Sequence, residues 1–459
     1  MFTRSVKYPD GWDFHGSRIA SPAVWRHFLE LDAQQPLFPN LHTITRITIS
    51  PHQPGMLQLA LPSLEVLDVV LSWSRADYQD TLVGLSGPTG YRAALNLTLL
   101  RTMQCAPLVS ALSLTFRPWD GQYEAVPKNI FAVPFLTKMH QLRSLDLRQA
   151  CFVQNITFLR SLAALPHLAT LQVRLSILES SHISSEVGSF AALRELWITA
   201  EAGHPDLLNL FASPLLNDLL IEHCNIEWPS LYPFVDDVAR CFPSLHRFEW
   251  LLGNVHHGPW KTSQLNSATQ LLRPLFSLKR IHRLRLYRKI PPMNYYIYEP
   301  IATVGMEDLS AIAAAWTELR ELAILITPCK LPAHEALLLL AQRCQSLMTL
   351  ELHGVEFSLT SPADLDAIPV MNHHLRLLLI ERDMRTRPSA TPTAIVDKEL
   401  TGELVARLFP HLSAFSADHR CHYLLGGRPQ GVHSFYNAER ELMKIYRAAR
   451  ERRRGGVQE

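Results

Sequence analysis

The densest run of chemically capable side chains is Asp418-His419-Arg420-Cys421-His422. A thiol nucleophile needs a base and an orienting group that converge on it, and a metal needs ligands that close a shell. Neighbours on an extended strand point to opposite faces, so this run cannot converge alone. It reads as a polar stretch at the end of a larger array. The adjacent pairs His256-His257 and His373-His374 diverge in the same way. His334-Glu335 opens like the helical zinc-protease device, but position 338 is Leu where that device needs its second His. No Gly-x-Gly-x-x-Gly or Gly-x-x-x-x-Gly-Lys-Ser/Thr loop occurs to cradle phosphates. The chain reads as a non-enzyme, with no metal and no cofactor.

What it has in quantity is apolar surface. Of 459 residues, 47% are hydrophobic and 19% charged, which suits a large buried core and not a disordered chain. A formal net charge of +2 gives no reason to expect nucleic acid, a membrane or acidic substrates as partners. Seven scattered cysteines without a CxxC pair read as reduced, buried thiols, and hence as a cytoplasmic or nuclear chain. The start, Met1-Phe2-Thr3-Arg4 running into Tyr8-Pro9-Asp10-Gly11, lacks the apolar core of a secretory signal. Apolar runs such as 336–341 and 377–380 fall far short of the roughly 20 residues a membrane helix needs. Asn96-Leu97-Thr98 and Asn155-Ile156-Thr157 are then chance matches to the glycosylation sequon.

The elements that organise the chain are repeats. An apolar residue, two others, an apolar residue, one other and an apolar residue recur at Leu64/Leu67/Val69, Leu142/Leu145/Leu147, Leu168/Leu171/Val173 and Leu193/Leu196/Ile198. The series continues through Leu216/Leu219/Ile221, Leu245/Phe248/Trp250, Ile281/Leu284/Leu286, Leu319/Leu322/Ile324, Leu347/Leu350/Leu352 and Leu375/Leu378/Ile380. Weaker copies begin at Ile44, Val109 and Leu412. From Leu142 to Leu375 the steps range from 23 to 38 residues. One copy is a common accident in a Leu-rich chain; about ten at such steps are not.

The last two apolar residues of the template lie two apart, on one face of a strand. The spacers carry helical patterns, as in 158–165, 207–211, 235–241, 306–316, 334–344 and 399–409, several opened by Ser, Asp or Pro, as at Ser361-Pro362 and Leu331-Pro332. The fold class is therefore α/β: a leucine-rich-repeat solenoid, a curved parallel sheet with outer helices. The organisation read from this is a lead segment over 1–36, the solenoid over 37–420, and a C-terminal extension with a basic helix over 421–459. Irregular stretches at 72–91, 254–261, 291–300 and 385–392 read as insertions, where binding loops grow. The last 21 residues, Glu439 to Glu459, hold seven basic and four acidic side chains and read as a solvated terminus.

Residues between and beside the inward pair face the concave side. That set includes Arg148, Arg174, Glu195, Trp197, Glu222, Arg247, Glu249, Arg283, Arg285, Tyr287, Glu351 and His353. It is expected to hold a protein partner. Trp, Tyr and Arg most often carry interface energy, so Trp197, Arg285 and Tyr287 are the anchors expected to matter most.

The phrases Phe38-Pro39-Asn40-Leu41, Phe242-Pro243-Ser244-Leu245 and Phe409-Pro410-His411-Leu412, and the segment Val24-Trp25-Arg26-His27-Phe28-Leu29, add a likeness. With the repeats over roughly 37–417, they resemble the leucine-rich-repeat proteins of the F-box type found in mushroom-forming fungi. The resemblance implies a substrate-recognition subunit of a cullin-type ubiquitin ligase, linked to the cullin ligase adaptor. Such a subunit docks through an F-box opening with Leu-Pro-x-Glu, and no such phrase precedes Leu41. The open readings are an F-box that was lost, one that lies upstream, and a scaffold with no ligase role.

Overall fold

A short strand leaves its N–H and C=O groups unsatisfied unless another strand pairs with it, so a repeated strand template predicts a repeated ladder. In a computed structural model of the protein every copy of the template is a strand, and every strand pairing is parallel. The structure describes residues 5–7, 27, 30–32, 35–49, 59–72, 99–117, 136–149, 152–153, 156–175, 190–202, 207–227, 230–256, 267–288, 304–325, 331–355, 357, 359, 361–381, 398–419 and 433–455.

They fall into two compact units, Met1–Leu216 and Asn217–Glu459. The first carries β1 (Ser5–Lys7), β2 (Thr43–Ile49), β3 (Val66–Ser72), β4 (Ala111–Arg117), β5 (Ser144–Gln149), β6 (Phe152–Val153), β7 (Thr170–Leu175) and β8 (Glu195–Ala202). They pair in chain order, with β6 set beside β7 off the main path. Its labelled helix is α1 (Ile156–Ala163). The second carries β9 (Asp218–Glu227), β10 (Arg247–His256), β11 (Arg283–Arg288), β12 (Glu321–Ile324), β13 (Thr349–His353), β14 (Leu377–Glu381) and β15 (Ala414–His419), again paired in chain order. Its helices are α2 (Leu231–Cys241), α3 (Ala268–Leu272), α4 (Met306–Ala315), α5 (Ala333–Arg343), α6 (Pro362–Asp366), α7 (Lys398–Leu408) and α8 (His433–Gly455). Strands β1 and β6 have no counterpart in the sequence template. Of the insertions, 254–261 is described as far as His256; 291–300, 385–392 and the stretch after Ser72 lie outside the described residues.

The turn into each strand follows one rule. The first Leu of the template donates its N–H to the carbonyl three residues back, as Leu64 to Leu61 (3.1 Å), Leu245 to Phe242 (3.2 Å) and Leu319 to Trp316 (3.2 Å). Proline prepares φ for the second position of such a turn, and Pro39, Pro62, Pro107, Pro166, Pro214, Pro243 and Pro410 stand there. The Phe of Phe-Pro-x-Leu thus ends one helix and opens the turn: Phe242 and Phe409 are fully buried. One carbonyl then accepts two successive N–H groups of the next repeat. His246 accepts from His282 (2.9 Å) and Arg283 (3.2 Å), and His282 from Arg320 (2.7 Å) and Glu321 (3.1 Å).

One place departs from the expected spacing and another from the rule. The first unit's template begins at Leu41, whose N–H reaches Phe38, rather than at Ile44. Arg46, at φ 55°, sits where the β2–β3 register slips; that extra residue disguises the spacing, as a bulge does. At Leu375 a side chain replaces the turn carbonyl. The Leu375 N–H donates to His373 Nδ1 (3.0 Å), and the ring's Nε2–H donates to the Cys344 carbonyl (2.8 Å).

The template leucines and the inward helix residues form the core. In α2 these are Leu231, Phe234, Val235, Val238 and Cys241, and in α5 Ala333, Ala336, Leu337, Leu340 and Ala341, the spacing of a one-sided helix. Truncating a buried Leu here costs about 2–5 kcal/mol. Polar bridges lock neighbouring repeats. Buried Asp308 accepts from the N–H of Thr269 in α3 and of Gly305 before α4, both at 2.7 Å, and the Trp316 indole donates to the Leu278 carbonyl (3.0 Å).

Helix α8 is not the solvated tail expected. Leu442, Tyr446 and Ala449 are buried. The Tyr446 hydroxyl donates to the Phe409 carbonyl (3.0 Å) and accepts from the Leu412 N–H (3.1 Å), bracing the last turn, in which the Leu412 N–H also reaches the Phe409 carbonyl (3.3 Å). Gly402 of α7 permits the approach, because a Cβ there would lie 2.6 Å from Ile445 Cγ2. Arg452 (2.8 Å) and Arg453 (3.6 Å) pair with Glu403.

Candidate interaction surface

Alternation along the strands sends the template leucines toward the helices and every second residue to the opposite, open face. All twelve residues expected on the binding face have that parity: β7, for example, alternates half-buried and buried from Thr170 to Leu175.

In the second unit the register sets the columns. Arg247 lies beside Arg283 and Arg283 beside Glu321; Glu249 lies beside Arg285, Arg285 beside Ala323, and Ala323 beside Glu351. Arg247 donates through Nε (3.1 Å) and Nη2 (2.8 Å) to Glu249 Oε1. Arg285 bridges two carboxylates, Glu249 through Nη1 (3.7 Å) and Glu321 through Nη2 (2.8 Å), while Arg283 pairs with the other oxygen of Glu321. Three guanidinium groups and two carboxylates thus alternate across β10, β11 and β12. Burial acts most strongly against the Arg285 charge, but Tyr287 and the carboxylates of Glu249, Glu321 and Glu351 outweigh it and hold its pKa above the ordinary value.

Glu351 sits at the margin of this network. Ala323 carries no bulk, so Tyr287 reaches over β12 and donates to Glu351 Oε2 at 3.4 Å. Burial pushes the Glu351 carboxyl above its ordinary range, against the pull of Arg285 and the Tyr287 hydroxyl. Glu249, Glu351 and His353 face the open side yet are only 8–9% exposed. Their neighbours crowd them.

In the first unit Arg148 is held by Asp146 through Nε (3.1 Å) and Nη2 (2.8 Å). Its guanidinium lies 3.6 Å over the Trp197 ring, a cation–π contact that spans β7. Glu195 is exposed and accepts weakly from Thr170 (3.4 Å). Arg174 and Glu222 are half-buried on the open face. Each expected anchor is therefore engaged within its own unit: Trp197 under Arg148, Arg285 between two carboxylates, Tyr287 against Glu351.

Sequence reasoning missed Glu321, Ala323 and Asp146. Glu321 was findable, since it holds the same template position as Arg247 and Arg283.

The chemical candidates divide. His373 staples the Leu375 turn, and His374 stacks on His411 (5.2 Å between centroids). The side chains of Asp418 and His419, and all of 420–422, lie outside the described residues, as do His257 and the His256 side chain. Among the described residues no group of three or more His, Cys, Asp or Glu could hold a metal ion, and no helix is long and apolar enough to cross a membrane. Cys105 and Cys344 are free, and burial raises the thiol pKa values of Cys105, Cys241 and Cys344, that of Cys344 to about 11.

Parallel strands in chain order, one turn rule, and a carbonyl shared between successive repeats decide the architecture. The fold is a leucine-rich repeat. No protein-family model matches the sequence, and no curated protein is similar to it. Among solved structures, an internalin from Listeria monocytogenes is similar at 14% identity over 62% of this chain and 74% of its own, with a TM-score of 0.28. The leucine-rich-repeat ectodomain of the receptor kinase GASSHO1/SCHENGEN3 from Arabidopsis thaliana, solved with CASPARIAN STRIP INTEGRITY FACTOR 2, is 13% identical over 81% of this chain and 43% of its own, with a TM-score of 0.32. A leucine-rich-repeat protein of Leptospira interrogans is 11% identical over 78% of this chain and 86% of its own, also with a TM-score of 0.32.

Proposed function

We propose that this chain is a protein-interaction module that holds a protein partner on the open face of its repeats. The observation that carries the reading is a sheet face, opposite the helices, furnished with Arg, Tyr, Trp and Glu in fixed mutual geometry. Side chains already locked by neighbours lose little freedom when a partner arrives, and these residue types dominate interface energies. Free thiols with raised pKa values suit a reducing cytoplasm or nucleus.

The finer reading is a substrate-recognition component descended from F-box proteins and linked to a ubiquitin ligase. Its support is the Phe-Pro-x-Leu entry phrase, which the structure uses as a turn. The segment 24–29, which also supports it, is outside the described residues except for His27. The rival is a repeat scaffold with no ligase role.

Affinity purification from the native host, read by mass spectrometry, tests both levels. Tyr287→Ala and Trp197→Ala should lose the partner while the chain stays folded; partner retention by both variants would refute the open face as the site. A cullin adaptor among the captured proteins favours the ligase reading, and its absence beside a recovered partner favours the scaffold.

A further inference from the structure

We propose that the partner presents a lysine or arginine side chain to Glu351, and that this cation is what the open face of the second unit selects. The inference rests on the reading of that face as a protein-binding surface, and it names the chemistry recognised there.

The argument is one of charge complementarity. Each guanidinium of the network already faces a carboxylate: Arg247 has Glu249, Arg283 has Glu321, and Arg285 has both. An incoming anion would meet cations that already face carboxylates, and would be repelled by those acids. Glu351 is the exception. It has one long hydrogen bond, from Tyr287 to Oε2, its Oε1 accepts none, and among the described residues no cation lies within ion-pair distance of it. A carboxylate this buried, pulled on by Arg285 from across β12 but with no ion pair of its own, is costly, which is the state that an incoming cation relieves.

The surroundings fit a long aliphatic stem with a charged end. On one side Tyr287 reaches across β12 to Glu351, whose neighbour in the ladder is Ala323. On the other, the register places Leu379 of β14 beside Glu351 and Leu377 beside Thr349. Leu378 and Ile380 point into the core at 0% and 2% exposure, so Leu377 and Leu379, both half-buried, belong to the open face. A strand apolar on both faces is otherwise unexplained there. Lysine and arginine cover apolar surface with their stems while the head seeks a carboxylate.

The test is selection of a random peptide library on the immobilised full chain, followed by affinity measurement on the wild type and on Glu351→Gln, whose isosteric amide leaves packing intact. The wild type should enrich peptides with Lys or Arg at one fixed position. Those peptides should bind Glu351→Gln roughly tenfold more weakly, as befits loss of one hydrogen-bonded charge pair, and replacing the enriched cation by norleucine should match that loss. Leu379→Ser provides a second variant with the acid intact, and it should weaken the same peptides. Peptides that compete with one another, lose affinity on Tyr287→Ala, and carry no fixed cation or bind Glu351→Gln unchanged would overturn this inference while leaving the protein-binding face standing. Recovery of no peptide against the wild-type open face would overturn both.

Discussion

Acidification should loosen the second unit through His223, and its surroundings set the size of the effect. His223 is fully buried in β9, on the helix side, packed against Phe234 at 4.7 Å and Trp250 at 6.0 Å between ring centroids. The Trp250 indole N–H donates to its Nδ1 at 2.8 Å, so that nitrogen must stay unprotonated. Burial lowers the His223 pKa from 6.5 to about 3. A base with a depressed folded pKa gains a proton on unfolding, so its contribution is complete above pH 6.5 and is lost as the pH falls from there toward 3. The loss approaches a factor of ten in the folding equilibrium per pH unit. His223→Asn keeps an acceptor for Trp250 and cannot titrate in this range. At pH 7 it should be less stable than the wild type by roughly 1–3 kcal/mol, from the missing ring. Urea unfolding followed by tryptophan fluorescence, at steps from pH 7 to pH 4.5, should show that deficit shrinking with each step, by about 2–3 kcal/mol in all. His373, also depressed by burial, and Glu351 titrate in both proteins and cancel in the difference. A deficit that stays constant from pH 7 to pH 5 would refute the claim that the fold keeps this ring neutral.

Three further outcomes follow from individual contacts. Asp308→Ala leaves two N–H groups of successive repeats without an acceptor, and should lower stability by about 1–2 kcal/mol in urea titration; an unchanged midpoint would remove its bridging role. Gly402→Ala drives a Cβ into Ile445 and should cost about 1–3 kcal/mol, with faster amide exchange in α8; Ile445→Ala in the same chain should recover part of the loss. Arg148→Ala and Trp197→Ala, alone and together, should show a coupling of about 0.5–1 kcal/mol in a double-mutant cycle, and additive effects would mean that the stacked pair contributes nothing.

The fold was legible because its signal lies in spacing. Apolar residues two apart choose a strand face whatever their neighbours are, and Pro at the second turn position marks the entry. The beginning of the array was misplaced at Ile44 because Arg46 inserts a residue between paired positions. Helix α8 was misread because its charges hide a stripe of Leu442, Tyr446 and Ala449, and because docking depends on what Gly402 lacks. The open-face residues could be named from parity. Their pairings could not: whether Arg148 covers Trp197, or Tyr287 reaches Glu351, depends on the register of strands separated by a third strand and on the small Ala323 between two of them.

The same geometry explains how steps of 23 to 38 residues coexist with regular strand pairing in each unit. Between successive strands the invariant parts are few: a buried residue that closes the helix, a turn to the first Leu, and one carbonyl shared by two N–H groups of the next repeat. Whatever the chain does after leaving a strand, it must return to that carbonyl, so added length is taken up away from the ladder. Side chains on the open face therefore hold their columns while spacers vary. That separation lets a network such as Arg247-Glu249-Arg285-Glu321-Arg283 form from strands of four to ten residues far apart in sequence, and it lets the unpaired Glu351 stand out beside that network.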